Sequence, residues 1–359
     1  MDEIERLKER VVRKGGIVRA GTVLAAPAVL RSLGANPADV LAGAGVDLAL
    51  FDDPDNPMPF AVRSRLIRHC VEQTGCRHFG LLVGQQGGLH SLGLVGLLME
   101  HAPNVGSALR SLERFFHLHA RGGTVSLALS EQTAMLSYDI YQAGVEAADQ
   151  LGDGAVAVIF NILGELCGAD WKPLELRFAH RRPDDVRPFQ RFFQAPLKFD
   201  AEQNGVVFSA GWLQRPLARS DTVLRLQLQN QMVALERTCG HDLREQVRAV
   251  LRTALLTGNA RADEIAALFS MHGRTFSRRL ADCGASFQSL ADEGRFAIAC
   301  QMLENTDVDI KLIAVILDYA DASAFARAFR RWSGVTPSHW RAGAYGKGAL
   351  KRKKLSSCV

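Results

Sequence analysis

Between residues 264 and 329 one short pattern occurs twice. "EIAALF" (264–269) returns as "LIAVIL" (312–317) at an offset of 48, which pairs Ile265 with Ile313, Ala266 with Ala314 and Leu268 with Ile316. "TFSRRL" (275–280) returns as "AFARAF" (324–329) at an offset of 49, which pairs Phe276 with Phe325 and Arg278 with Arg327. A repeat of this length means one supersecondary unit built twice. Each copy reads as a short helix, a turn and a second helix that holds an Arg away from its buried side; the second copy has one more residue in its turn. "SFQSLADEGRFAIACQMLEN" (286–305) reads as a long helix connecting the copies. "LREQVRAVLRTALLTG" (243–258) reads as an amphipathic helix closed by Gly258. From 241 onward the pattern is therefore wholly helical.

The second copy ends in "AFARAFRRWSGVTP" (324–337). Phe325, Phe329 and Trp332 recur at i, i+4 and i+7, so one face is expected to pin the helix to a small core. Arg327 and Arg331 recur at i, i+4 on another face, and Arg330 and Arg331 lie toward that face's edges. Charge follows the same division. Residues 241–359 hold 18 Lys and Arg against 12 Asp and Glu, whereas residues 1–240 hold 25 against 26. The whole net charge of +5 thus comes from the last third, partly from the tail "KGALKRKK". A basic excess on one part of a chain points to a polyanion partner there.

The first two thirds mix helix and strand. "PFAVRSRLIRHCVEQTG" (59–75) has helical spacing at Val62, Leu66 and Cys70 and stops at Gly75; "GSALRSLERFFHLHA" (106–120) is similar. "GTVSLALSEQTAMLSYDI" (123–140) alternates as two strands around a polar turn at 130–133. "AADQLGDGAVAVIFNILGELCG" (147–168) reads as a helix that Gly152 and Gly154 interrupt. "PLELRFAH" (173–180) reads as a strand and "DVRPFQRFFQ" (185–194) as a short helix. "LKFDAEQNGVVFSAGWL" (197–213) reads as a hairpin with Asn204-Gly205 near its turn. "DTVLRLQLQNQMVALER" (221–237) puts Leu224, Leu228, Met232 and Leu235 on one stripe; it either packs on its own domain, joins two domains or pairs with a second copy.

These residues carry a family resemblance. The segment from about 241 to 341 resembles the DNA-binding domain of AraC/XylS-type transcriptional regulators, and "SAFARAFRRWSGVTPSHWR" (323–341) is similar to that family's hallmark stretch almost position for position. Upstream, "FGLLVGQQ", "RFFQAPLKFDAEQNGVVFS" and "LQRPL" resemble the arabinose-binding-type sensory domain of one branch. The resemblance implies an α+β N-terminal sensory domain (1–220), a helical linker (221–240), and an all-α DNA-binding domain (241–341) with two helix-turn-helix units joined by a long linker helix. A basic tail (342–359) follows, expected to be disordered. It implies base contacts at Arg274, Ser277 and Arg278 in the first recognition helix and at Ala322, Ser323 and Arg327 in the second. Thr336 and Arg341 resemble phosphate-side positions, beside Arg330 and Arg331. The family commonly has Gly in each turn where this chain has Ser270 and Asp318. It also favours Ser near His272 and a polar residue at Ala322. The implied partners are double-stranded DNA, RNA polymerase if the protein activates, a small-molecule effector, and a second copy of the chain.

Other chemistries find little support in the residues. Seven scattered cysteines, none in C-x-x-C spacing, suit a reducing cytoplasm and give neither a disulfide framework nor a zinc site. The N-terminus is charged throughout, unlike a signal peptide. The longest apolar run, "LGLVGLLM" (92–99), falls well short of the roughly 18 residues of a membrane span. His117-x-His119 faces two ways on a helix and has no evident third ligand, and no cofactor motif occurs; "GLLVGQQGGLHSLGLVG" (80–96) matches no phosphate-loop spacing and suggests loops and tight helix packing. An enzyme fused to the DNA-binding module would need a four-cysteine zinc cluster or a Cys at a strand-to-helix elbow, and neither is present; a regulator that senses no ligand is the other alternative. Phe115, His117, Tyr138 and Trp171 are the candidate effector-pocket residues, as aromatic or polar-tipped side chains of the sensory domain, though core packing is the favoured role for each, since aromatics are mostly core.

Overall fold

The computed structural model describes residues 16–142, 145–238, 243–256, 260–269 and 271–343. The chain divides into two compact units at His241/Asp242.

The N-terminal unit runs β1 (Ile17–Arg19), α1 (Ala26–Ser32), α2 (Pro37–Gly43), β2 (Pro57–Pro59), α3 (Phe60–Thr74), α4 (Phe79–Gln85), α5 (Leu94–Glu100), α6 (Val105–His119), β3 (Gly123–Leu129), β4 (Thr133–Ile140), α7 (Ala148–Cys167), β5 (Glu175–Arg177), α8 (Arg187–Phe193), β6 (Leu197–Lys198), β7 (Asn204–Ser209) and α9 (Thr222–Thr238). β1 and β2 form an antiparallel pair, and the main sheet has the order β3-β4-β7-β5-β6, antiparallel except for β5 and β6. The polar turn between β3 and β4 closes where its residues predict, with Ser130 N donating to the Thr133 carbonyl at 2.8 Å. α3 ends at Gly75, whose φ of 66° is the left-handed stop that glycine adopts without strain.

Two local expectations are corrected. Residues 197–213 do not form a hairpin: β5 lies between β6 and β7. Asn204-Gly205 opens β7 instead of turning the chain. Its amide chemistry serves packing, since the buried Asn204 accepts a hydrogen bond from Ala179 N at 2.9 Å. Nor do Gly152 and Gly154 break α7, which is continuous over Ala148–Cys167. Gly154 sits where α7 crosses α4, where a Cβ at Gly80 or Gly84 would collide with the backbone of Gln150 or Gly154, and Gly152 lies against the Asn204 side chain of β7. The glycine-rich run at 80–96 is thus close helix packing, as expected. α7 is long and apolar enough to cross a membrane by length and composition, but it is the central helix of this core, with Val156, Ala157, Ile162 and Leu163 fully covered. α9 lays Leu228 and Met232 into the same core, with Leu224 partly covered; Leu235 is 39% exposed.

The C-terminal unit is helical: α10 (Leu243–Leu256), α11 (Ala262–Leu268), α12 (Gly273–Asp282), α13 (Phe287–Asn305), α14 (Ile310–Ile316), α15 (Ala322–Ser333) and a last helical stretch over 337–343. It holds two small cores. The first gathers Val247, Leu251, Ile265, Ala266, Phe276, Leu280 and Leu290; the second gathers Leu255, Ile298, Met302, Leu303, Ile313, Phe325, Phe329 and Trp340. The paired positions of the repeat therefore occupy matching places, Ile265 with Ile313, Ala266 with Ala314 and Phe276 with Phe325, all 1% exposed or less. The side chain of Leu268, the turn position Ser270 and the predicted stop at Gly258 lie outside what the structure describes. α13 gives its first half to one core and its second half to the other, which makes it a spacer anchored at both ends.

Trp332 departs from its expected role. Phe325 and Phe329 are fully buried, but Trp332 is only half-buried at the edge of the second core, against Phe296 and Tyr319. The tryptophan inside that core is Trp340, eight residues on, whose Nε1 donates to Glu304 at 3.0 Å. The i+7 position of α15 falls at the rim because the 337–343 stretch folds back and fills the site.

Candidate nucleic-acid interface and ligand cavity

The second helix of each repeat is placed by local chemistry. α15 starts at Asp321, whose carboxylate accepts from Ala324 N at 2.7 Å, and ends at Gly334 with φ 80°. In the turn before it, Asp318 takes φ 61°, the left-handed conformation for which glycine is usual. α12 starts at His272, which has extended dihedrals but makes no side-chain cap. The turn of the first copy, 269–272, is one residue shorter than 317–321 in the second, matching the shift in repeat offset.

Because α12 buries Phe276 and Leu280, its opposite face carries Arg274, Ser277 and Arg278, all exposed. Because α15 buries Phe325, Ala328 and Phe329, it exposes Ser323, Arg327, Arg330 and Arg331, with Ala322 half-covered at its first turn. Among the described residues, Arg274, Arg278, Arg327 and Arg330 have no ion-pair or hydrogen-bond partner. Arg331 differs: its Nη2 is 3.4 Å from Asp292 Oδ2 on α13. Arg341 differs more, since its Nη2 donates to the Val308 carbonyl at 2.6 Å and so ties the last helical stretch to the turn before α14. Thr336 is exposed and caps that stretch, its Oγ1 accepting from His339 N at 3.3 Å.

The N-terminal unit contains a cavity of about 90 Å³. Of the four candidate pocket residues only Tyr138 lines it. Phe115 is buried elsewhere in the core, and Trp171 packs on Phe160 with ring centroids 5.3 Å apart. His117 turns the other way, its Nε2 3.3 Å from Glu236 on α9. The lining residues of α6 are instead Leu112, Phe116 and His119. One residue along a helix is a rotation of about 100°, so Phe116 faces the cavity where Phe115 cannot. Burial, with Arg19 and Arg63 adding to it, pushes the His119 imidazole down to about 3, so it is neutral. Arg63 on α3 also lines the cavity and donates through Nη2 to Tyr138 Oη at 3.2 Å. The sequence does carry a signal for Arg63: it shares a helical stripe with Leu66, Ile67 and Cys70, all buried.

Comparison with known proteins agrees with both halves. The family model for the arabinose-binding domain of AraC transcription regulators (N-terminal) matches residues 34–217, and a helix-turn-helix domain model matches residues 265–343. The chain belongs to the AraC family of transcription regulators. It is 26% identical over 334 residues to the HTH-type transcriptional regulator VirS of Mycobacterium tuberculosis, covering 91% of this chain and 97% of that protein. It is 25% identical over 299 residues to the ornithine utilization regulator of Pseudomonas aeruginosa, covering 81% and 86%. The solved structure of the transcriptional regulator CdpR from Pseudomonas aeruginosa aligns at 22% identity with a TM-score of 0.41, covering 87% of this chain and 97% of that one. This AraC-family protein is thus a DNA-binding helix-turn-helix transcription regulator with an arabinose-binding-type N-terminal domain.

Proposed function

We propose that this regulator reads a specific operator in the cytoplasm with α12 and α15 set in successive major-groove segments, about 34 Å apart. A small molecule held in the N-terminal cavity then adjusts DNA binding. The observation that carries the reading is the equivalence of Arg278 and Arg327: they occupy the same place in two copies of one unit, and both guanidinium groups are exposed and unpaired. An unpaired guanidinium on a rigid helix is what bidentate bonding to guanine O6 and N7 requires. Arg274, Ser277, Ala322 and Ser323 flank them on the same faces and complete the base-side surface. Arg330, Arg331 and Thr336 meet phosphates at its edges, Arg331 by exchanging Asp292 for the backbone, whereas Arg341 serves mainly to fix the last helical stretch. RNA polymerase and a second copy of the chain are the further partners of this reading, and the exposed Val223 and Leu226 of α9 are the apolar residues a second copy would cover.

The test is a fluorescence titration of the full chain on a duplex selected from a random pool and on its scrambled version, at several salt concentrations. Sequence preference should be clear on the selected duplex, and binding to both should weaken steeply with salt. Equal affinity for the two duplexes would defeat the base-reading proposal.

A further inference from the structure

The cavity of the N-terminal unit holds a buried cation that no acidic side chain among the described residues neutralises. Arg63 is 5% exposed, and a guanidinium cannot shed its proton to escape burial. One face of it lies 4.2 Å from the centroid of the Phe60 ring, and Nη2 reaches the Tyr138 hydroxyl. Its Nε is buried and has no hydrogen-bond partner. Arg19, the other cation near this end, is paired with Asp55. Among the described residues, no Asp or Glu lines the cavity. A buried unpaired charge is costly, so the arrangement calls for an anion from outside.

Other groups at the same end fit that demand. His119 is 4% exposed and neutral, and its Nδ1 is buried without a partner. Its ring packs on Phe116, which in turn packs edge-on to Tyr138. Arg63, Tyr138 and His119 thus form one polar corner. The remaining walls are mostly hydrocarbon, from residues such as Ile67, Val83, Leu112 and Ile159. One guanidinium balances one negative charge, and its fork matches a carboxylate's two oxygens. A phosphate monoester brings nearly two charges and would leave part of the second uncompensated.

We infer that the effector of this regulator is a small monocarboxylate with an apolar body, its carboxylate paired with Arg63 beside Tyr138 and His119 and its hydrocarbon part filling the cavity. The inference rests on the reading of the N-terminal unit as a ligand sensor and adds the chemical class.

Calorimetric titration of the full chain tests it, with octanoate and phenylacetate as probes, octanamide and phenylacetamide as their uncharged matches, and octylamine as the opposite charge. Each acid should bind roughly tenfold or more tightly than its amide, the factor a charge-assisted hydrogen bond supplies, and the amine should not bind. Arg63→Gln should bring the acid-to-amide ratio to about one. If that variant does not fold, Tyr138→Phe, which keeps the ring and loses only the hydroxyl beside the carboxylate, should reduce the acid's affinity and leave the amide's nearly unchanged. Equal affinity of acid and amide for the wild type overturns the inference, as does an acid preference that survives Arg63→Gln, or no binding by any probe. Operator affinity measured with and without octanoate separates this from the sensor reading. Arg63-dependent binding that leaves operator affinity unchanged sinks the sensor role and keeps the ligand class. An amide that binds as tightly as its acid and shifts operator affinity does the reverse.

Discussion

The two helix-turn-helix units share their buried residues far more closely than anything else. Phe276 and Leu280 in α12 stand where Phe325 and Phe329 stand in α15, and the short helices before them repeat Ile265-Ala266 as Ile313-Ala314. The exposed and connecting positions diverge. Only α15 has a side-chain cap, Asp321, and the second core alone is lined by Phe296, Tyr319, Trp332 and Trp340. On the outer faces, Arg278 and Arg327 agree while Asp282 and Arg331 oppose each other in charge. The lesson is that packing fixes the interior of this motif, whereas each outer face is free to vary.

The strongest way to break the comparison is through the cores. Phe329→Ala should cost about 3–5 kcal/mol and Leu280→Ala about 2–5 kcal/mol, each unfolding its own half of the C-terminal unit first. Trp340→Ala should cost about as much as Phe329→Ala, and Trp332→Ala clearly less, because its ring already lies partly exposed at the rim of the core. Urea unfolding of the full chain, followed by far-ultraviolet circular dichroism, gives these values. Equal losses at Trp332 and Trp340 would show that the second core extends further than its burial suggests.

Next come the outer faces. Arg327→Ala and Arg278→Ala should each cost about 1–3 kcal/mol on the selected duplex and much less on a scrambled one. Arg331→Ala should weaken both duplexes alike and reduce the salt slope by about one unit. If Arg327→Ala weakens both equally, the second helix touches only the backbone and the two units read DNA differently.

The caps offer a finer test. Asp321→Ala should destabilise the second unit by about 1 kcal/mol, and His272→Asp should stabilise the first by a similar amount by supplying the missing cap. Thermal unfolding of the two variants checks the pair, and no gain from His272→Asp would mean that another group already serves the α12 amides. The smallest effect is expected at Asp318. Asp318→Gly should stay within about 0.5 kcal/mol of wild type, since relief of the left-handed backbone is offset by a freer unfolded chain. A larger loss in the same measurement would give the Asp318 side chain a role of its own.

In the C-terminal unit the sequence was nearly sufficient. Its contacts are local: the repeat, at offsets of 48 and then 49, and helical spacing together determine which face each helix buries, and so which arginines stay outside. The place of Trp332 at the rim of the second core and the bond of Arg341 to the Val308 carbonyl depend on how the 337–343 stretch folds back, which no spacing encodes. In the N-terminal unit the elements were legible but their company was not. β6 and β7 are neighbours in sequence yet are separated by β5, since strand order is decided by long-range pairing. Gly80 and Gly154 acquire meaning only where α4 crosses α7. The cavity residues of α6 lie one or two positions along from those expected, Phe116 for Phe115 and His119 for His117, because the amphipathic stripe of α6 is broad and only the neighbouring helices determine which part faces a void. Arg63 is the clearest case. Helical spacing puts it on the buried stripe of α3, but only the packed structure decided that no carboxylate would meet it there, and a buried charge without a partner is a property of the assembled fold.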